Sequence, residues 1–269
     1  MTTTTSIALL GISGRMGRML LTGIENSSGL KLSGDIDSPD SPWLSKDASG
    51  FAGTVGTGVI VTADPAIAVR GADVAIAFAL PQVTPMIVEA CVQARCPLVL
   101  GTTGHTPEQR AIVDQATKHI AVVMTSNFSL GVNLLFKLAE QTARALNADY
   151  DIEIYEAHHR NKKDAPSGTA LSLGESVARG RGVSLKEKGV FERYGDTGAR
   201  ERGSIGFSVV RGGDIIGDHT VTFAGIGERI ELTHRASDRM AFAQGALHAA
   251  RWVVGKSPGM YSMQDVLAD

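Results

Sequence analysis

The sequence predicts an α/β protein: a doubly wound parallel sheet of the Rossmann kind, followed by a smaller α+β domain. Three observations predict it. Short apolar strands alternate with helix-patterned segments through residue 124. The first strand runs into the glycine-rich turn Gly11-Ile12-Ser13-Gly14-Arg15-Met16-Gly17. After Asn127 the pattern changes, and three strands follow one another without intervening helices.

In the first half, Ser6–Leu10 reads as a strand, Gly14–Glu25 as a helix and Leu30–Ile36 as a second strand. The Ser-, Pro-, Asp- and Gly-rich stretch 38–58 reads mainly as loop, with a short strand at Val59–Thr62 and a brief helix at Asp64–Arg70. Val74–Phe78, Leu98–Leu100 and Ala121–Met124 are buried strands, separated by helices at Val83–Arg95 and Pro107–Lys118. Thr106 is placed to cap the second of these, with Pro107 at its first position. Beyond Asn127 we expect helices at Leu130–Leu146 and Thr169–Arg179, and strands at Asp151–Ala157, Ile205–Arg211, His219–Ala224 and Glu228–Arg235. Residues 181–202 read as irregular, and Met240–Val254 as the final helix. Residues 1–128 with 240–269 are therefore expected to form a dinucleotide-binding domain, and 129–239 a second domain.

Composition narrows the function. The chain of 269 residues has 43% hydrophobic and 20% charged residues and a formal net charge of −2. No global field recruits nucleic acid or an anionic membrane, and no apolar run is long enough to span a bilayer. The polar, threonine-rich start lacks a signal-peptide pattern. The two cysteines, Cys91 and Cys96, stand without a ligand cluster, so we expect buried thiols, no metal site and a cytoplasmic setting.

The glycine turn carries chemistry. Gly11 permits the tight turn, Gly14 lets backbone approach a pyrophosphate, and Gly17 lets the helix pack closely on the sheet. The amides opening the helix, from Ser13 to Met16, favour phosphate. Asp37 stands 20 residues beyond Gly17, where a carboxylate meets the adenosine ribose hydroxyls. It favours NADH, since it would repel a 2′-phosphate and Ser38 offers no rescuing cation; NADPH use stays open. Gly101, Thr102 and Thr103 follow one strand end, and Thr125, Ser126, Asn127 and Phe128 follow another. Such loops are where a doubly wound sheet presents ligand contacts, although plain turn chemistry accounts for them equally well.

The richest stretch is residues 153–170. A strand ends in His158-His159, basic residues follow, and a helix opens at Pro166-Ser167-Gly168-Thr169. Successive strand side chains face opposite sides, so the two histidines have different tasks. Lys162 and the helix-start amides suit a dianionic substrate. Histidine and lysine suit the proton that accompanies a hydride.

This stretch resembles the E-x-x-E-x-H-H-x-x-K-x-D-x-P-S-G-T-A signature of dihydrodipicolinate (4-hydroxy-tetrahydrodipicolinate) reductases. The Gly11–Gly17 turn, Gly101–Gly104, Ser126-Asn127-Phe128 with Gly131-Val132-Asn133, and Gly206-Phe207 with Arg211-x-Gly-Asp-Ile215 resemble that family too. The resemblance covers essentially the whole chain. It implies NAD(P)H-dependent reduction of 4-hydroxy-tetrahydrodipicolinate in lysine and diaminopimelate biosynthesis, with His158 as acid/base and Lys162 as proton donor and substrate contact. It implies that His159, Gly168 and Thr169 hold substrate carboxylates. It also implies a hinge that closes on substrate, and a homotetramer built through the second sheet.

The run Ala77-Phe78-Ala79-Leu80-Pro81 departs from the aspartate and Thr/Ser usual there, so side-chain contacts from this loop are in doubt. Two other readings stay open on the residues alone. One is a different two-domain NAD(P) dehydrogenase for an amino or hydroxy acid. The other is a non-enzymatic nucleotide sensor.

Overall fold

In a computed structural model describing residues 4–51 and 56–268, the chain divides into two units. The first comprises Met1–Leu130 and Arg239–Asp269, the second Gly131–Asp238. The first three threonine-rich residues and part of the expected 38–58 loop lie outside the described residues.

The first unit is built on β1 (Thr5–Leu10), β2 (Leu30–Ile36), β3 (Val74–Ala77), β4 (Leu98–Leu100), β5 (Ala121–Met124) and a late edge strand, Gly259–Tyr261. All pairings are parallel, and the late strand joins β5. Strand order is late strand, β5, β4, β3, β1, β2. The order therefore reverses at β1, between β2 and β3, which is where doubly wound sheets bind ligands.

Residue parity decides which layer each strand side chain joins. Ile7, Leu9, Ile76, Val99 and Val123 pack with α1 (Arg15–Glu25) and α8 (Met240–Val253). Ala8, Leu10, Ala75, Leu98 and Val122 pack on the opposite face with α2 (Pro65–Ala68), α3 (Thr84–Ala94) and α4 (Pro107–Ala116). Strands buried on both faces need the continuous apolar runs seen in the sequence. In α1, Met16, Leu20 and Ile24 recur every fourth residue and face this core. The expected Thr106 cap forms a capping box with Gln109.

In the second unit, α5 (Leu130–Ala145, almost wholly within it) and α6 (Gly168–Arg181) cover one face of a five-stranded sheet. Its strands are β6 (Asp151–His158), β7 (Gly189–Val190), β8 (Ile205–Arg211), β9 (Gly217–Ala224) and β10 (Arg229–Ala236). The order is β10-β9-β6-β8-β7, with β6–β8 and β7–β8 parallel and the rest antiparallel, so the sheet is mixed.

Some expectations fail locally. Val59–Thr62 is no strand: Ile60 and Thr62 make isolated bridges to different partners, Asp47 and Ile36. Within 181–202 the chain forms α7 (Leu185–Lys188) and β7. Their one deep anchor, Leu185, leaves no periodicity to read in a polar segment. The late edge strand, β11, and the following α9 (Met263–Val266) went unpredicted because three or four residues show no period.

Candidate active site

Two ligand-sized recesses lie at the carboxyl ends of the parallel strands. The first, of about 430 Å³, is lined by Gly11, Ser13, Gly14, Asp37, Ser38, Pro39, Phe78, Leu80 and Met86, among others. It gathers the ends of β1, β2 and β3. The glycines have distinct physical roles. Gly11 has φ +104°, and a Cβ there would lie 2.8 Å from the Phe78 carbonyl oxygen. At Gly17 a Cβ would meet Ile12 Cα at 2.6 Å, so only glycine lets α1 start this close to the turn. A Cβ on Gly14 would meet nothing nearer than 3.4 Å, so that side of the turn stays open. Gly14 caps α1 without a side-chain bond, leaving the first-turn amides at Arg15 and Met16 without a side-chain cap. These features fit the pyrophosphate of a dinucleotide.

Asp37 is buried, and its carboxylate accepts from Ser13 Oγ (2.6 Å), the Ser38 amide (2.9 Å) and Ser41 Oγ (2.5 Å). Ile12 turns into the core with its amide bonded to the Ile36 carbonyl, so its role here is packing. Arg15 is exposed and Met16 packs against the core; neither lines the recess.

The second recess, of about 470 Å³, is lined by Thr102, Thr103, Gly104, His105, Arg110, Met124, Thr125 and Ser126. Thr102 Oγ1 donates to the Ala79 carbonyl (3.0 Å), tying the β4 loop to the β3 loop. At Gly101 a Cβ would enter the Phe78 ring, so glycine is required there by packing. Asn127 Oδ1 accepts from the Ser129 amide (2.9 Å), and Phe128 is buried against Phe78 with ring centroids 5.5 Å apart. Asn127 and Phe128 therefore shape the loop more than they line this recess.

In the second unit, β6 delivers Glu156 and His158 to the same face, two residues apart. Glu156 is fully buried. Its carboxylate accepts four bonds: His158 Nδ1–H (2.5 Å), the Ser167 amide (2.9 Å), and both arms of the Arg211 guanidinium (2.9 and 2.8 Å). Burial alone would raise this carboxyl. The bonds from His158, Arg211 and Ser167 outweigh it and hold the group down at about 2.

His219 on β9 stands edge-on to His158, with centroids 5.1 Å apart, and its Nε2 lies 3.3 Å from Ser167 Oγ. Burial, then the His158 charge, push His219 down to about 3, so it is neutral at pH 7. Glu156, His158 and His219 bring potential ligand atoms within 4.8 Å of one another. Glu156, however, has all four acceptor positions filled, which leaves it no lone pair for a metal.

Ser167 caps α6 by accepting from the Ala170 amide (3.1 Å), so Gly168 and Thr169 open the helix. A Cβ on Gly168 would meet nothing within 4 Å, so the approach is open. Lys162 Nζ pairs with Asp164 (2.9 Å), and Arg211 also donates to the Asp164 carbonyl (2.6 Å). His159, next to His158, is half-buried. The structure thus gathers His158, Lys162, Gly168 and Thr169 in one segment of one unit.

Sequence reasoning passed over Glu156, Arg211 and His219 as functional groups. A signal existed: a glutamate two residues before a histidine on a strand shares its face, and His219 falls in the buried phase of β9 with Val221 and Phe223.

Residues 5–128 match the family model described as dihydrodipicolinate reductase, N-terminus, and residues 131–267 the one described as dihydrodipicolinate reductase, C-terminus. The 4-hydroxy-tetrahydrodipicolinate reductase of Nitrosomonas eutropha is 51% identical over 262 residues, 97% of each chain. That of Alkalilimnicola ehrlichii is 51% identical over 264 residues, 98% of this chain and 99% of its own. The dipicolinate-bound dihydrodipicolinate reductase of Paenisporosarcina sp. TG-14 shares the fold, with TM-score 0.75 at 23% identity over 96% of this chain and 97% of that one. From its glycine turn to its final helix, the chain belongs to the dihydrodipicolinate reductase family.

Proposed function

We propose that the chain reduces 4-hydroxy-tetrahydrodipicolinate to tetrahydrodipicolinate with NAD(P)H, in lysine and diaminopimelate biosynthesis. The observation that carries this reading is the cluster of a carboxylate-anchored imidazole, an ammonium group and first-turn amides within residues 156–169. Reduction of a dianionic C=N substrate needs a proton donor beside an anion grip. A nucleotide sensor needs neither, and no residue in the cluster favours an amino- or hydroxy-acid dehydrogenase.

When bound, the nicotinamide would supply the hydride that C4 of the substrate accepts after or with loss of the 4-hydroxyl as water, and one proton completes the product. This chain's residues do the rest. Gly14 and the opening amides of α1 hold the pyrophosphate, and Asp37 takes the adenosine ribose hydroxyls. The loops at 101–103 and 125–128 carry the nicotinamide end. The first unit is thereby the dinucleotide-binding domain, and the second binds substrate and builds the oligomer. Lys162, His159 and the Gly168 and Thr169 amides hold the carboxylates, while His158 and Lys162 deliver the proton.

NADH is the preferred cofactor, because among the described residues no Lys or Arg lines the recess around Asp37 to neutralise a 2′-phosphate. The helix-free face of the mixed sheet, where Tyr155 and Val210 are about 40% exposed, is the surface through which a homotetramer assembles. Among the described residues no helix is long and apolar enough to cross a membrane, and both thiols are free and buried, which supports a cytoplasmic setting.

The test is a coupled assay. The upstream synthase makes the substrate from pyruvate and aspartate semialdehyde, and consumption of NADH and NADPH is followed separately. Consumption of both, faster with NADH, is expected; no consumption with either refutes the reading. Light scattering of the purified chain checks the tetramer.

A further inference from the structure

We propose that Glu156 is the positioning residue of the proton donor: it fixes the His158 imidazole through Nδ1 and so assigns proton transfer to Nε2. This inference rests on the role proposed above for His158. Three geometric facts support it.

First, the Glu156 carboxylate has no hydrogen to give, so the 2.5 Å contact requires the proton on Nδ1. The ring's only remaining exchangeable position is Nε2. Second, the space beside Nε2 is kept open by Gly217, where a Cβ would lie 3.1 Å from that nitrogen. Third, the Arg211 fork and the Ser167 amide fill the remaining acceptor positions of Glu156. The carboxylate therefore stays an anion and does not compete for the proton.

The same carboxylate ties three elements together. It joins β6 to β8 through Arg211 and to the start of α6 through Ser167, so one group sets both the proton donor and the amides offered to the substrate. The charged or titratable groups around His158 are Glu156 on its own strand, Arg211 on β8, His219 on β9 and Lys162 with Asp164 in the following loop. His234 on β10 stands behind His219. Glu156 is the acid that contacts the imidazole directly; Asp164 is paired with Lys162.

The experiment compares pH–rate profiles of the full-length enzyme and three variants. In Glu156→Gln the side chain keeps its shape but loses its charge. Turnover should fall more than KM rises, and the alkaline limb should move down by about one to three pH units. Glu156→Asp, which keeps the charge, should restore part of that limb, and it covers the case in which Glu156→Gln does not fold. A purely structural role would lower the active fraction without moving the limb. An unmoved limb in folded Glu156→Gln overturns the proposal; if only Glu156→Asp folds, wild-type turnover with the carboxylate drawn back from Nδ1 overturns it. His158→Gln separates the two readings: if it keeps wild-type turnover, the role given to His158 fails. If it loses turnover while folded Glu156→Gln keeps the wild-type limb, the inference about Glu156 alone fails.

Discussion

Among the described residues each unit buries one carboxylate completely, and the two behave in opposite ways. Asp35 on β2 has both oxygens buried with no hydrogen-bond partner among the described residues. Burial, and then the neighbouring Asp37 charge, push it up to about 8, so it is a neutral acid at pH 7. Glu156 is equally buried, yet four donors hold it ionised. Burial therefore does not decide the charge; the donors supplied by neighbouring elements do. On the function proposed above, the first unit's ligand contacts fall to glycine geometry, backbone amides and Asp37, and the neutral Asp35 adds no charge to them. In the second, a satisfied ionic network holds the His158 imidazole in place.

The two acids impose opposite pH slopes on stability. Asp35 has a raised folded-state pKa, so its contribution is intact below about 4 and is lost as pH rises towards 8. Glu156 has a lowered one, so its contribution is intact above about 4.5 and is lost as pH falls towards 2. The largest expected effect follows from the first. Asp35→Asn should stabilise the protein at pH 7 by up to about 4 kcal/mol, with the gain vanishing near pH 4. Thermal unfolding across that range checks it; a gain independent of pH would mean that Asp35 is ionised in the folded protein.

The next effect sharpens the second unit's side of the contrast. Lys162→Ala should lower turnover by about two orders of magnitude, ~2.7 kcal/mol, if the ammonium group supplies a proton. Steady-state kinetics with saturating cofactor measures it, and unchanged turnover removes Lys162 from the mechanism. The smallest effect belongs to the first unit. Asp37→Ala should relax the NADH/NADPH preference by about tenfold, ~1.4 kcal/mol. Paired kcat/KM values for the two cofactors read it out, and an unaltered ratio denies Asp37 that role.

The parallel sheet was legible because buried strands and amphipathic helices write their periods into the sequence, as Leu98–Leu100 and α1 do. The glycine turn and its carboxylate were legible because their chemistry depends on fixed spacing. The segment from His158 to Thr169 was legible as a candidate site because its histidines, its lysine and the helix start are adjacent in the chain. What stayed hidden depends on pairing distant residues. Arg211 reaches Glu156 only because β8 lies parallel to β6, with His158 opposite Arg211. His219 reaches His158 through the antiparallel register of β9, and local sequence carries no trace of register between strands. Asp35 was hidden for a different reason: its alternation with Gly34 and Ile36 does not reveal that no donor faces it.

The division of labour between the units is the central claim, and one double variant tests it most directly. In His158→Gln/Lys162→Ala, NADH affinity is measured by cofactor fluorescence alongside turnover in the coupled assay. The account predicts turnover reduced by at least about two orders of magnitude, with the NADH Kd within about threefold of wild type. Turnover that survives, or cofactor binding that disappears with it, would contradict the account.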